Sequence, residues 1–165
     1  MARLNLVFDF GAVIFSWEPR ALVREIFPQH ASTDAQAAQL AHSIFGHSDW
    51  HSFDAGKLSA SDVAGRTHQR TALPLPVLSD LVGSIGQRLQ PIADSVAVLD
   101  ELRAQRDAGA DIQLYYLSNM PAPYARVLEQ QHDFMGWFDG GIFSGDVQLN
   151  KPDPRIFHLA TQRFA

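Results

Sequence analysis

The 165-residue sequence contains no cysteine. That absence excludes disulfides, thiolate nucleophiles and sulfur-ligated metals, and it fits a reducing compartment. A dense Lys/Arg run is also missing, and the net charge is −5. Nucleic acid, which needs a basic face, is therefore not an expected partner. No uninterrupted apolar stretch approaches the ~18 residues of a membrane-spanning helix, so a membrane is not expected either. The first apolar run is broken by Asp9 and carries no cleavage pattern, which argues against a secretory signal and leads to the expectation of a cytoplasmic protein. None of the seven histidines falls in a metal-binding spacing such as H-E-x-x-H. Repeats and low-complexity segments are lacking too. What remains is 46% hydrophobic, enough to build a core, at a length that fits one domain with a small inserted module.

Three apolar runs each lead into polar chemistry. Leu4-Asn5-Leu6-Val7-Phe8 reaches Asp9, with Gly11 two positions on. Its largely unalternating pattern reads as a strand buried on both faces of a parallel sheet. A carboxylate beyond such a strand lies where open α/β sheets hold ligands, and Gly11 is expected to let the chain turn sharply there. Capping a turn is the other reading of Asp9. A second run, Ile112 to Leu117, ends in Ser118-Asn119, which either meets a ligand or caps a helix. The third, Gly141 to Val147, is followed by Lys151-Pro152, where an isolated lysine is ordinarily solvated.

Between the first two strands the pattern is helical. Pro19 suits a first turn, and Leu22, Val23, Ile26 and Phe27 share one face. Ser32-Thr33-Asp34 offers cap oxygens for a helix carrying Leu40, Ile44 and Phe45. From Gly46 to Gly56 the pattern breaks, which places Trp50, Phe53 and Asp54 in a loop. Ser59 and Asp62 form a near capping box. Val77, Leu78, Leu81, Val82 and Ile85 give another stripe, weakened by Gly83 and Gly86. After Pro91, Asp94 or Ser95 is expected to cap a helix that ends before Gly109. Later helices open at Pro121-Pro123 and at Pro154, and Phe134, Met135, Trp137 and Phe138 form a packing cluster.

Strand then Asp9, strand then Ser118-Asn119, and loop then Lys151-Pro152-Asp153-Pro154 resemble, in order and spacing, the first three motifs of the haloacid dehalogenase-like hydrolase superfamily. The stretch from Phe8 to Pro19, FDFGAVIFSWEP, resembles the phosphatase-like branch in which glycine replaces the second aspartate of the first motif. The resemblance runs from Leu4 to the last residue. It implies an α/β fold: a Rossmann-like parallel-sheet core from residues 1–15 and 91–165, with a helical cap over 16–90. It further implies a Mg²⁺-dependent phosphatase acting on a small phosphorylated metabolite through an aspartyl-phosphate. Asp9 would be the nucleophile, and Asp9 with the Gly11 carbonyl would hold Mg²⁺. Ser118, the Asn119 backbone and Lys151 would bind the phosphoryl group, Ser118 and Lys151 as part of the catalytic set. Trp17 and Glu18, and also Trp50 and His51, fall where flap and cap would meet substrate or simply pack.

Two departures from the family pattern stand out. Gly11 has no titratable group, so the usual general acid is missing. That favours leaving groups already stable as anions (sugar-1-phosphates, acyl phosphates, aryl phosphates) or an acid from elsewhere, for which Glu18 and Asp54 are the candidates. The family's fourth motif, a strand ending in acidic residues, does not follow the last helix. The expectation is a fragment with weak metal binding and activity, or else a first-strand edge covered by another chain, as in a homo-oligomer. A 2-haloacid dehalogenase, with Arg20 available for halide, and a non-catalytic phosphate-binding module are the alternative readings.

Overall fold

The computed structural model describes residues 3–165. Three strands, β1 (Leu4–Phe8), β2 (Ile112–Ser118) and β3 (Gly140–Phe143), form a parallel sheet in the order β1-β2-β3. Register runs from Leu4↔Ile112 to Phe8↔Tyr116, and from Tyr115↔Gly140 to Ser118↔Phe143. All carboxyl ends therefore meet at one edge, where such sheets present ligands. Along β2 the side chains alternate. Leu114 and Tyr116 join the larger core on one face, while Tyr115 and Leu117 face α9 (Pro154–Arg163) through Ile156, Ala160 and Phe164 on the other. Tyr115 and Phe164 stack with centroids 4.2 Å apart. β3 carries Gly141 because a Cβ there would come within 2.3 Å of the Tyr116 ring.

Five helices lie between β1 and β2 before the return to the sheet: α1 (Pro19–Ile26), α2 (Asp34–Phe45), α3 (Ser48–Asp54), α4 (Ala60–Thr71) and α5 (Leu75–Arg88). No strand occurs among the described residues of 16–90. Capping boxes start α2, at Thr33 with Gln36, and α4, at Ser59 with Asp62. The segment leaves and rejoins the sheet side by side: Ser16 N–H donates to Gln90 C=O at 2.8 Å and Ile92 N–H to Ile14 C=O at 2.8 Å. α6 (Ala93–Asp107) precedes β2, and α7 (Ala122–Gln131), a 3₁₀ turn (Asp133–Trp137) and α8 (Ser144–Val147) complete the chain order.

Several expectations need correcting. β1 is not buried on both faces, since Leu4 is 53% and Val7 49% exposed; its one partner among the described residues is β2, which leaves the open first-strand edge that the sequence led one to expect. The Gly46–Gly56 break contains α3, too short to show a helical period, with the His47 ring accepting the Asp49 N–H at its start. The third apolar run is strand only to Phe143; Gly145 packs so close to Ala122 that a Cβ would sit 2.5 Å from its nitrogen, and the chain coils into α8. α6 begins after Ile92 without a side-chain cap, so neither Asp94 nor Ser95 serves.

Candidate functional site

Asp9 follows β1 directly, and its Oδ1 accepts the Phe10 N–H at 2.7 Å. Phe10 is fully buried and touches the rings of Phe15, Tyr116, Phe138 and Phe143 at 5.0–5.9 Å, which fixes where the chain leaves the sheet. Beyond it the chain turns tightly, with the Phe10 carbonyl accepting N–H groups from Val13, Ile14 and Phe15. Gly11 lies in that tight turn, and the left-handed residue of the turn is Ala12 (φ 59°).

Ser118 closes β2 and is 1% exposed. Asn119 does not point its amide at a ligand but clamps the Lys151 peptide. Its Oδ1 accepts the Lys151 N–H at 2.7 Å, and its Nδ2 donates to the Lys151 carbonyl at 3.0 Å. So held, Lys151 extends its ammonium to the Asp9 Oδ2 at 2.6 Å and to the Leu117 carbonyl at 3.0 Å. The Lys151–Pro152 bond is cis. Three distant motifs therefore converge on one ion pair at the sheet's carboxyl edge.

Asp9, Gly11, Ser118, Asn119 and Lys151 line one end of a cavity of about 260 Å³. Its other walls are largely apolar: Phe15, Trp17, Phe45, Trp50, Ile85 and Leu89. Trp17 stacks near Trp50 and meets Phe45 edge-on, so both tryptophans pack together and face the cavity at once. One further acidic residue lines this space, Asp54, 8% exposed. Burial pushes its pKa up from 3.8 to about 7. Tyr124 also lines the cavity; burial, then the neighbouring Asp54 charge, raises its phenol, which donates to the Val82 carbonyl.

Glu18 departs from its expected place. It is exposed and lines a separate groove with Glu25 and Arg88, and its side chain caps nothing. His51 lies outside the cavity and contributes its carbonyl to the Asn150 amide at 2.6 Å. Arg20 is exposed on α1 and does not reach the cavity. Sequence reasoning missed Ser144, a fully buried hydroxyl that accepts the Met120 N–H at 2.8 Å and donates to the Asp54 carbonyl at 2.6 Å. A serine set directly after Ile142-Phe143 in the third apolar run was the available signal.

No family model matches the chain. It is 26% identical over 157 residues to a sesquiterpene phosphatase of Aspergillus oryzae, an alignment covering 94% of this chain and 72% of the relative. Among solved structures it resembles a haloacid dehalogenase-family enzyme of Bacteroides thetaiotaomicron in complex with magnesium and inorganic phosphate. That match has a TM-score of 0.68 at 13% identity and covers 98% of this chain and 79% of the other. It also resembles the L-2-haloacid dehalogenase of Xanthobacter autotrophicus, with a TM-score of 0.62 at 16% identity, covering 98% and 65%. At such identities these likenesses establish the fold.

Proposed function

We propose that this chain is a haloacid dehalogenase-like hydrolase, and within that fold a magnesium-dependent phosphatase working through an aspartyl-phosphate on Asp9. One observation carries the reading: the Asp9 carboxylate and the Lys151 ammonium meet at 2.6 Å on the cavity that Ser118 also lines. In this reading residues 1–15 and 91–165 form the core, and 16–90 act as a cap that closes over a small phosphorylated substrate.

The donor set suits a hard cation. Asp9 offers a carboxylate, and the Gly11 carbonyl accepts no backbone hydrogen bond among the described residues. No cluster of three or more His, Asp or Glu supplies a larger cage among those residues. Mg²⁺ commonly takes one or two protein oxygens beside phosphate and water, so two suffice. When bound, it would neutralise phosphate charge and hold the group against the nucleophile. Asp9 attacks phosphorus and the P–O bond to the organic group breaks, dividing one hard step into two. Lys151, already beside Asp9, offsets the charge of the transferring oxygens, and Ser118 donates a hydrogen bond to them. Asn119 positions Lys151 through its peptide.

The wall of Trp17, Phe45 and Trp50 supports a substrate whose organic part is apolar, in keeping with the sesquiterpene phosphatase relative. The dehalogenase reading is weaker, because Arg20 lies away from the cavity. The test is phosphate release from a panel of phosphomonoesters with Mg²⁺, with chelator, and in Asp9→Asn. Acid-stable capture of labelled phosphate on the protein identifies the intermediate. Phosphate binding without release would leave a binding module; halide release from a 2-haloacid in the presence of chelator would make it a dehalogenase.

A further inference from the structure

Gly11 removes the acid that a phosphatase of this kind would place beside its nucleophile, yet the cavity contains a carboxyl group that phosphoryl binding does not use. We propose that Asp54 is the general acid–base of this site, protonating the leaving oxygen of an ordinary alkyl phosphate. The proposal rests on the phosphatase reading above and goes beyond it by naming a second reacting carboxyl and a leaving-group class.

Three observations place Asp54 there. It ends α3 and lines the same cavity as Asp9, Ser118 and Lys151 while being 8% exposed. Burial alone perturbs it: no hydrogen-bond donor or cation engages its carboxylate among the described residues. Its backbone is fastened to the phosphate end of the site rather than floating on the helical segment. The Ser144 hydroxyl bridges the Asp54 carbonyl to the N–H of Met120, two residues beyond Ser118. Gly56, with φ +66°, lies so close to the Gly145 carbonyl that a Cβ would approach it to 2.6 Å. Asn150, next to Lys151, holds the His51 carbonyl of the same helix at 2.6 Å. α3 is thus pinned to the loops that carry Ser118 and Lys151, and Asp54 moves with them. Glu18, the other candidate acid, lies outside this space.

The charged and titratable groups around Asp54 are Tyr124 from α7, Asp9 beyond β1 and Lys151 before α9, all on the cavity. The remaining charges of its own helix are engaged elsewhere: Asp49 pairs with Arg66 and Arg70 of α4 and with His47. The exposed Lys57 and His51 line another groove. A carboxyl that stays protonated to about 7 has a proton to give near neutrality.

The chemistry balances. As the Asp9 oxygen bonds to phosphorus and the P–O bond to the alcohol breaks, the Asp54 proton passes to the leaving oxygen, giving free alcohol and an Asp54 carboxylate. That carboxylate then takes a proton from the water that attacks the aspartyl-phosphate. The P–O bond to Asp9 breaks, inorganic phosphate leaves, and both carboxyls return to their starting states.

The experiment compares Asp54→Asn with wild type on two phosphates of similar size, 2-phenylethyl phosphate and 4-nitrophenyl phosphate. The aryl oxygen leaves as a stable anion and needs no acid. Expected is a loss of ~10²-fold or more in kcat/KM on the alkyl ester with only a few-fold loss in kcat/KM on the aryl ester, the usual worth of a positioned acid, while kcat, which includes the shared hydrolysis of the aspartyl-phosphate, falls on both. Wild-type kcat/KM on the alkyl ester should also fall above a pH of about 7, a limb absent from the aryl profile. Equal losses in kcat/KM on both esters, or no alkyl turnover by wild type while the aryl ester is hydrolysed, overturns the acid assignment and leaves the phosphatase reading standing. No phosphate release by wild type from either ester overturns both.

Discussion

The Lys151 ammonium lies 2.6 Å from the Asp9 carboxylate, although 142 positions separate the two in the chain (151 − 9). Partly exposed pairs of this kind add little to stability, typically under ~1 kcal/mol. The value of the pair lies in placing a cation where phosphate charge will gather. Lys151→Met should therefore lower kcat/KM for phosphate esters by ~10²- to 10³-fold. Its thermal midpoint should move little. A large loss of stability with unchanged kinetics per folded molecule would show that Lys151 is structural. Asp9→Asn should abolish turnover altogether, and chelation of Mg²⁺ should do the same reversibly.

Ser144 holds the two halves of the site together through one hydroxyl. Ser144→Ala leaves the buried Met120 N–H and the Asp54 carbonyl without that partner. Each orphaned group costs about 1–3 kcal/mol, so a loss of roughly 2–6 kcal/mol is expected in denaturant unfolding. Because Asp54 is released, turnover of an alkyl phosphate should drop more than that of an aryl phosphate. Unchanged stability would mean that water takes over both bonds.

The sequence brought Asp9, Ser118 and Lys151 forward as candidates, each after an apolar run and in a distinctive order, and the fold brings all three to one cavity. The helices of 16–90 were readable from period and caps, such as Thr33 with Gln36 and Ser59 with Asp62. What could not be read is set by non-local contact. Asp54 looked like a loop carboxylate because seven residues of α3 show no period, and its backbone is held by Ser144, 90 positions away in sequence. Glu18 and Asp54 were equal candidates on paper; only the fold places one in the cavity and the other on the surface. The exposure of β1 is not written in the strand's own residues; its open edge was an expectation only through the family's absent fourth motif.

Asp54 also makes a stability prediction with a definite sign. Its folded pKa, raised by burial to about 7, lies above the ordinary 3.8 of an unfolded chain. Folding then favours the protonated form, so its contribution is fully present below about 3.8 and is lost as pH rises through 7. The loss is on the order of a few kcal/mol, since one pKa unit corresponds to ~1.4 kcal/mol. Asp54→Asn, which cannot ionise, should match wild type near pH 4 and exceed it in stability at pH 8. Urea midpoints at the two pH values check this. A variant less stable than wild type at pH 8 would mean that the Asp54 carboxylate is held by a favourable partner.

Gly11 offers the complementary experiment. Its backbone is not left-handed, and a Cβ built on it meets nothing closer than the Trp17 Cβ at 4.0 Å. The site thus tolerates a side chain where the family resemblance puts its acid. Introducing Gly11→Asp into the Asp54→Asn protein should restore ~10-fold or more of the lost alkyl phosphate turnover, because a second positioned acid replaces the first. The kcat/KM for the aryl phosphate, whose leaving group needs no proton, should change little. Restoration confined to the alkyl ester would mean that Asp54→Asn had removed a proton donor. Failure to restore the alkyl rate, with an intact aryl rate, would mean that the alkyl reaction needs Asp54 at its own position and not merely an acid near Asp9.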